Sequence, residues 1–187
     1  MKKIAVIFPG VGYTKDRPLL YYAGKIAANS RYELRFMDFS GIEWSKEKLK
    51  DRDFLKKTLE KCLKITKKTL EDIEDLSGNE VVFISKSIGT VVATAYEKER
   101  SLNVKQICFS PLELIEDYVR DEGAVLFCAD ADPYAKYSEL DRIAKEKRLE
   151  MHTVSGGNHS LETGDVSTDI DNLKLMMKRV AEVIADV

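Results

Sequence analysis

Six short apolar runs, each followed by a stretch in which apolar residues recur at helical spacing, succeed one another along this chain. That alternation limits the fold more than any other feature. Strand–helix–strand repeats close a mainly parallel sheet with helices on its faces. The runs are Lys3–Phe8, Tyr32–Phe39, Glu80–Ser85, Val104–Phe109, Ala124–Ala129 and Leu149–Val154. Most are near-continuously apolar, as expected of strands covered on both sides. In the second run, Leu34 and Phe36, with Tyr32 as a further candidate, should share one face.

The intervening segments read as helices. Leu19, Tyr22, Ala23, Ile26 and Ala27 follow Pro18, a residue suited to a helix start. The highly charged segment from Ser45 to Leu76 carries an apolar stripe of Leu55, Leu59, Cys62, Leu63, Leu70 and Ile73, and Gly78 supplies a stop. It reads as one long helix with a solvated outer face. A break near Asp51–Asp53 and a coiled-coil or dimer face are the alternatives. Ile88–Tyr96 is apolar nearly all round and should be a buried helix. A short helical piece covers Leu112–Val119, and Tyr137, Leu140, Ile143 and Ala144 mark the next helix. Thr168 with Asp171 looks like the start of the last helix, whose stripe is Ile170, Leu173, Met177, Val180 and Ile184.

A length of 187 residues suits a single domain over residues 1–187. The net charge of −2, with both signs interspersed, argues against a nucleic-acid binder. No apolar run approaches the roughly 20 residues that span a bilayer. Met1-Lys2-Lys3 before Ile4–Phe8 superficially resembles a signal peptide, but Pro9-Gly10 ends the apolar run too soon, and a strand closing in a turn fits better. The three cysteines, Cys62, Cys108 and Cys128, lie in apolar settings. They read as buried packing thiols in a reducing cytoplasm.

In such sheets, ligands bind beyond the carboxyl ends of the strands. After the third strand the chain reads Ser85-Lys86-Ser87-Ile88-Gly89. A serine becomes a nucleophile when a sharp strand-to-helix turn presents its oxygen and a base takes its proton. That turn needs small residues two before and two after the serine, and Ser85 and Gly89 fit. It also puts the Ile88 N–H at a helix N-terminus, where it can donate to an oxyanion. The chain has two histidines. His152 lies inside a strand, whereas His159 follows the sixth strand in Gly156-Gly157-Asn158-His159-Ser160 and is the candidate base. The fifth strand ends in Ala129-Asp130-Ala131-Asp132-Pro133. Asp132 is the first choice to orient His159, with Asp130 as fallback or as a tie for the turn. The glycine-rich turn Phe8-Pro9-Gly10-Val11-Gly12-Tyr13 can offer the second oxyanion donor. Val11 N–H is the best choice, with Gly10 and Gly12 shaping the loop, because Pro9 cannot donate. Tyr13, Tyr21, Trp44 and Tyr134 are candidate pocket walls. No metal or cofactor is called for.

In chain order, the glycine-rich turn, the S-x-S-x-G elbow, the aspartate and the histidine resemble the α/β-hydrolase superfamily, and most closely its small, lidless, esterase-like members. The resemblance spans Ile4 to the final helix. It implies a minimal three-layer αβα sandwich with a mainly parallel six-stranded sheet of order 2-1-3-4-5-6. It also implies a serine hydrolase that cleaves a carboxylic ester or thioester through an acyl-enzyme on Ser87. The expected partner is a small acyl substrate, with no nucleic acid or membrane involved and a monomer or small homo-oligomer as the working state. Two departures stand out: Ser85 replaces the first glycine of the usual elbow, and Pro9-Gly10 replaces a His-Gly pair. The rivals are a non-catalytic binding protein of the same fold and a dinucleotide-binding domain using Gly10-Val11-Gly12 with Asp38, which lacks the third glycine because Lys15 occupies its place.

Overall fold

The computed structural model describes residues 2–71, 76 and 78–185. Six strands pair in parallel as β1 (Lys3–Phe8), β2 (Glu33–Phe36), β3 (Glu80–Lys86), β4 (Lys105–Phe109), β5 (Ala124–Ala129) and β6 (Glu150–Val154). Their order across the sheet is β2-β1-β3-β4-β5-β6, as the resemblance implied. Among the described residues, five α-helices accompany them: α1 (Pro18–Asn29), α2 (Arg52–Thr69), α3 (Ile88–Glu99), α4 (Tyr137–Glu146) and α5 (Val166–Ala185).

Side-chain alternation along the strands divides the core into two layers. Ala5, Ile7, Val82, Ile84, Ile107 and Phe109 meet Leu19, Leu20 and Ala23 of α1 and Val180 and Ile184 of α5. On the opposite face, Ile4, Val6, Phe8 and Phe83 meet Leu55, Leu59 and Cys62 of α2 and Val91 and Val92 of α3. Leu140 and Ile143 of α4 cover Cys108, Leu126 and Cys128 on that same side. The result is the three-layer sandwich, with α3 the most enclosed helix: its residues from Ile88 to Glu97 are all buried. Among the described residues, no helix is long and apolar enough to cross a membrane.

Three expectations need correction. β2 stops at Phe36, which is 41% exposed rather than facing a core. As an edge strand it is short, and the chain then bends so that Met37 and Phe39 are buried instead. The charged segment is not one helix from Ser45 but is broken at Asp51, where the alternative put the break. A 3-10 turn at Lys46–Lys48 comes first, and α2 starts behind Asp51, whose side chain accepts hydrogen bonds from the Asp53 and Phe54 amides. The α2 stripe is spent inside the molecule against α3, which removes the main reason for a dimer face there. Ile73 lies outside the described residues. Finally, α5 begins at Val166, one turn after Thr163 is tied to Asp169. Asp165 accepts from the Thr168 amide at 2.8 Å. Ile170 is 60% exposed, while Met176 and Val183 enter the core, because only the later part of α5 lies over the sheet-side layer formed with α1.

Candidate active site

At the carboxyl end of β3 the chain turns directly from strand into helix. Ser87 has φ 56° and ψ −124°, and α3 starts at the next residue. A residue with a β-carbon at this φ costs on the order of 1–3 kcal/mol and persists only where its surroundings hold it. They do so here. The Ser87 amide donates to the Phe109 carbonyl at 3.0 Å, and the Ser87 carbonyl accepts from the Thr90 amide at 2.9 Å and the Thr90 hydroxyl at 2.7 Å. A β-carbon on Gly89 would lie 2.5 Å from the Phe8 carbonyl oxygen and 2.6 Å from that of Pro9, so only glycine lets α3 approach the turn after β1. Ser85, where the usual pattern has glycine, is fully buried, and its hydroxyl donates to the Ile107 carbonyl at 3.1 Å. The added oxygen is accommodated because the neighbouring strand supplies an acceptor.

Three side chains from three different turns converge. Asp132, after β5, accepts from the Tyr134 amide with one carboxylate oxygen, at 2.8 Å. Its other oxygen is 2.6 Å from His159 Nδ1, and His159 Nε2 is 2.8 Å from Ser87 Oγ. A carboxylate only accepts, so Nδ1 carries the proton and Nε2 is left to accept from the Ser87 hydroxyl. The Asp132 side chain is 2% exposed and that of His159 17%. The Tyr134 ring meets the imidazole edge-on, with centroids 5.0 Å apart. Ser87, Asp132 and His159, chosen from residue type and position, are thus joined in series, with His159 in hydrogen-bond reach of both others. The fallback, Asp130, does something else. It accepts from the Gly156 amide at 2.6 Å and the Ser155 hydroxyl at 3.1 Å, tying the turn after β6 to the end of β5. His152 leans on Phe127 and contacts Glu150, remote from this turn cluster.

A cavity of about 330 Å³ opens over Ser87 and His159. Val11, Gly12, Tyr13, Tyr134 and Asn158 are among its walls. Tyr13 and Tyr134 are therefore pocket walls as expected. Tyr21 is not: it stands on α1, 43% exposed. Trp44 donates to the Phe39 carbonyl and lines a separate cavity with Pro9, Gly10 and Gly12. Val11 borders the cavity, and the Ile88 amide, as the first of α3, has no acceptor within its helix. Gly10 lets the β1 turn close on the elbow, since a β-carbon there would sit 3.0 Å from Ser87 Cβ. The turn itself is closed by a bridge between Gly10 and Tyr13, and α1 starts only at Pro18. No helix N-terminus therefore opens on the Gly10–Gly12 turn in the way a dinucleotide fingerprint needs.

Sequence reasoning missed two residues beneath His159. Lys86 is fully buried, and its ammonium donates to the His159 carbonyl at 2.5 Å. Ser110, just after β4 and at φ 43°, donates to the same oxygen at 2.9 Å. The signal for Lys86 was present: period-2 alternation puts it on the same face as Val82 and Ile84, both wholly buried. Burial without a carboxylate partner holds its pKa down at about 7, partly offset by the charges of Asp132 and Glu162. The three thiols are free and buried, and burial pushes Cys62 and Cys108 up to about 12.

No protein-family sequence model matches the chain, and no curated protein matches it in sequence. Solved structures do match in fold. Est1E of Butyrivibrio proteoclasticus, with ferulic acid bound, superposes with a TM-score of 0.70 at 16% identity, over 98% of this chain and 88% of that one. A candidate hydrolase of the alpha/beta superfamily from Xanthomonas campestris pv. campestris gives 0.70 at 13% identity, with both chains covered completely. An alpha/beta serine hydrolase without lid from Xanthomonas campestris gives 0.65 at 10% identity, over 96% and 81%. The chain has the α/β-hydrolase fold.

Proposed function

We propose that the chain is a serine hydrolase that cleaves a carboxylic ester or thioester of a small substrate through an acyl-enzyme on Ser87. The observation that carries this reading is the unbroken hydrogen-bonded series Asp132–His159–Ser87, set at a strained elbow under an open cavity. In the proposed reaction, Ser87 Oγ bonds the substrate carbonyl carbon as its proton passes to His159 Nε2. Asp132 keeps Nδ1 protonated and steadies the imidazolium. The Ile88 and Val11 amides donate to the oxyanion. Collapse expels the alcohol or thiol, which takes the proton from Nε2. Water then attacks the acyl carbon, passing its proton to Nε2, and the acid leaves as that proton returns to Oγ. No cofactor or metal enters the scheme. Free, buried thiols fit a reducing compartment such as the cytoplasm, to which this reading assigns the protein.

Fluorophosphonate labelling followed by peptide mapping tests the proposal. Stoichiometric labelling on Ser87 that is lost in His159→Ala is the expected result. Labelling should also weaken on acidification, because only neutral imidazole can take the Ser87 proton. Folded protein that resists the probe, or labels regardless of His159, would favour a non-catalytic cleft.

A further inference from the structure

Lys86 is the feature of this site that the proposed mechanism does not use. It occupies the variable position of the elbow, next to the nucleophile, and is fully buried. Among the described residues no carboxylate lies within salt-bridge distance of its ammonium. Its partners are instead the His159 carbonyl at 2.5 Å and the face of the Tyr13 ring, whose centroid is 5.2 Å away. The stem is pinned as well: a β-carbon on Gly10 would already touch Lys86 Cγ at 3.4 Å. One side chain therefore joins the turn after β1, the elbow after β3 and the histidine loop after β6.

The loop bearing His159 is tied at its start by Asp130 and at its centre by Lys86. It follows β6, the edge strand opposite β2, and Leu161, two residues beyond the imidazole, sits at φ 62°. Two donors converge on the His159 carbonyl, the Lys86 ammonium and the Ser110 hydroxyl. A carbonyl held from two sides fixes the backbone from which the imidazole reaches Ser87 Oγ. Resting on the serine-hydrolase reading above, we propose that Lys86 is a positioning residue, which clamps the His159 main chain so that Nε2 stays aligned on Ser87 while its positive charge opposes imidazolium formation.

The charges around Lys86 make the second half of that role readable. Asp132 after β5 and Glu162 after β6 act on it as anions, Tyr13 after β1 offers its ring and Ser110 after β4 a neutral hydroxyl, and Arg17 lines the same cavity. Below about pH 7 Lys86 is cationic. It then disfavours a second positive charge on His159, which keeps the base neutral to lower pH. Replacing Lys86 by a neutral residue removes this opposition. The acid limb of the rate profile must then move to higher pH.

The rate of fluorophosphonate labelling of Ser87 against pH, with circular dichroism as a control for folding, tests the role. In Lys86→Met, labelling should slow by about 100-fold, the loss typical when a reacting group is displaced by roughly 1 Å, and the acid limb should shift upward. Lys86→Gln, which keeps a donor but no charge, should slow less and show the same upward shift. Ser110→Ala removes a neutral donor from the same carbonyl, so it should slow labelling with the limb unmoved. Folded Lys86 variants that label at the wild-type rate with an unmoved limb overturn the positioning role alone. Wild-type protein that does not label on Ser87 overturns the hydrolase reading, and this proposal with it.

Discussion

Two charged side chains are buried at opposite ends of the sheet, and their surroundings treat them differently. Glu97, near the end of α3 at the amino ends of the strands, is 2% exposed. Its carboxylate accepts from the Val104 amide at 3.1 Å, from Arg120 Nε at 2.8 Å and from the Gln106 side-chain amide. Arg120 reaches on to the Val104 carbonyl at 2.9 Å, and Gln106 Oε1 is the atom left without a partner. Lys86, at the carboxyl ends, has a carbonyl and an aromatic face in place of a counter-ion. A buried charge that is fully paired acts as a structural tie. One left without a counter-ion remains able to influence whatever ionises beside it.

The largest test of this contrast is Ser87→Ala. Turnover should fall by about four to six orders of magnitude, as when a triad serine is removed, with the thermal midpoint nearly unchanged. A variant that melts far earlier would show that the carboxyl end also carries the fold. A smaller effect concerns Lys86 and pH. Its folded-state value of about 7 lies below the ordinary 10.5. Between those values the unfolded chain binds more protons, so stability should rise as pH increases from about 7 toward 10.5, each pH unit adding about 1.4 kcal/mol at most. Below pH 7 the full burden of burying the cation is present. Urea midpoints of wild type and Lys86→Met should therefore converge as pH rises, with the variant the more stable at pH 6. Wild-type midpoints parallel to the variant's across that window would sink the contrast. The smallest effect is Glu97→Ala. It should remove about 2–3 kcal/mol of stability by stranding the Val104 and Gln106 donors, and leave kcat of the folded fraction unchanged. A loss of kcat without loss of stability would reverse the assignment of the two ends.

Much of the fold was legible because it rests on local patterns. The apolar runs of β1, β3 and β5 and the all-round apolar helix α3 can be satisfied only inside a covered parallel sheet. Edges were less legible. Phe36 and Ile170 look like core residues in any window of sequence, yet both are exposed, because β2 has no outer neighbour and the first turns of α5 extend past the packed layer. At the site, Ser87, Asp132 and His159 could be named from residue type, the turn they occupy and their order in the chain. Their spacing could not, since it depends on how three separate turns pack.

What the sequence determined by itself was therefore periodic and chemical: which segments pair, which helix is buried, and which side chains are the candidates for nucleophile, base and carboxylate. Those follow from short-range spacing and from the properties of single residues. The tertiary structure alone decided how closely Asp132 approaches the imidazole, that Asp130 ties the turn after β6, that Ser85 finds an acceptor on β4, and that a lysine between two serines turns inward to hold the histidine loop. Each of these is a contact between residues more than twenty positions apart. The energy of such a contact exists only once the sheet has brought the turns together.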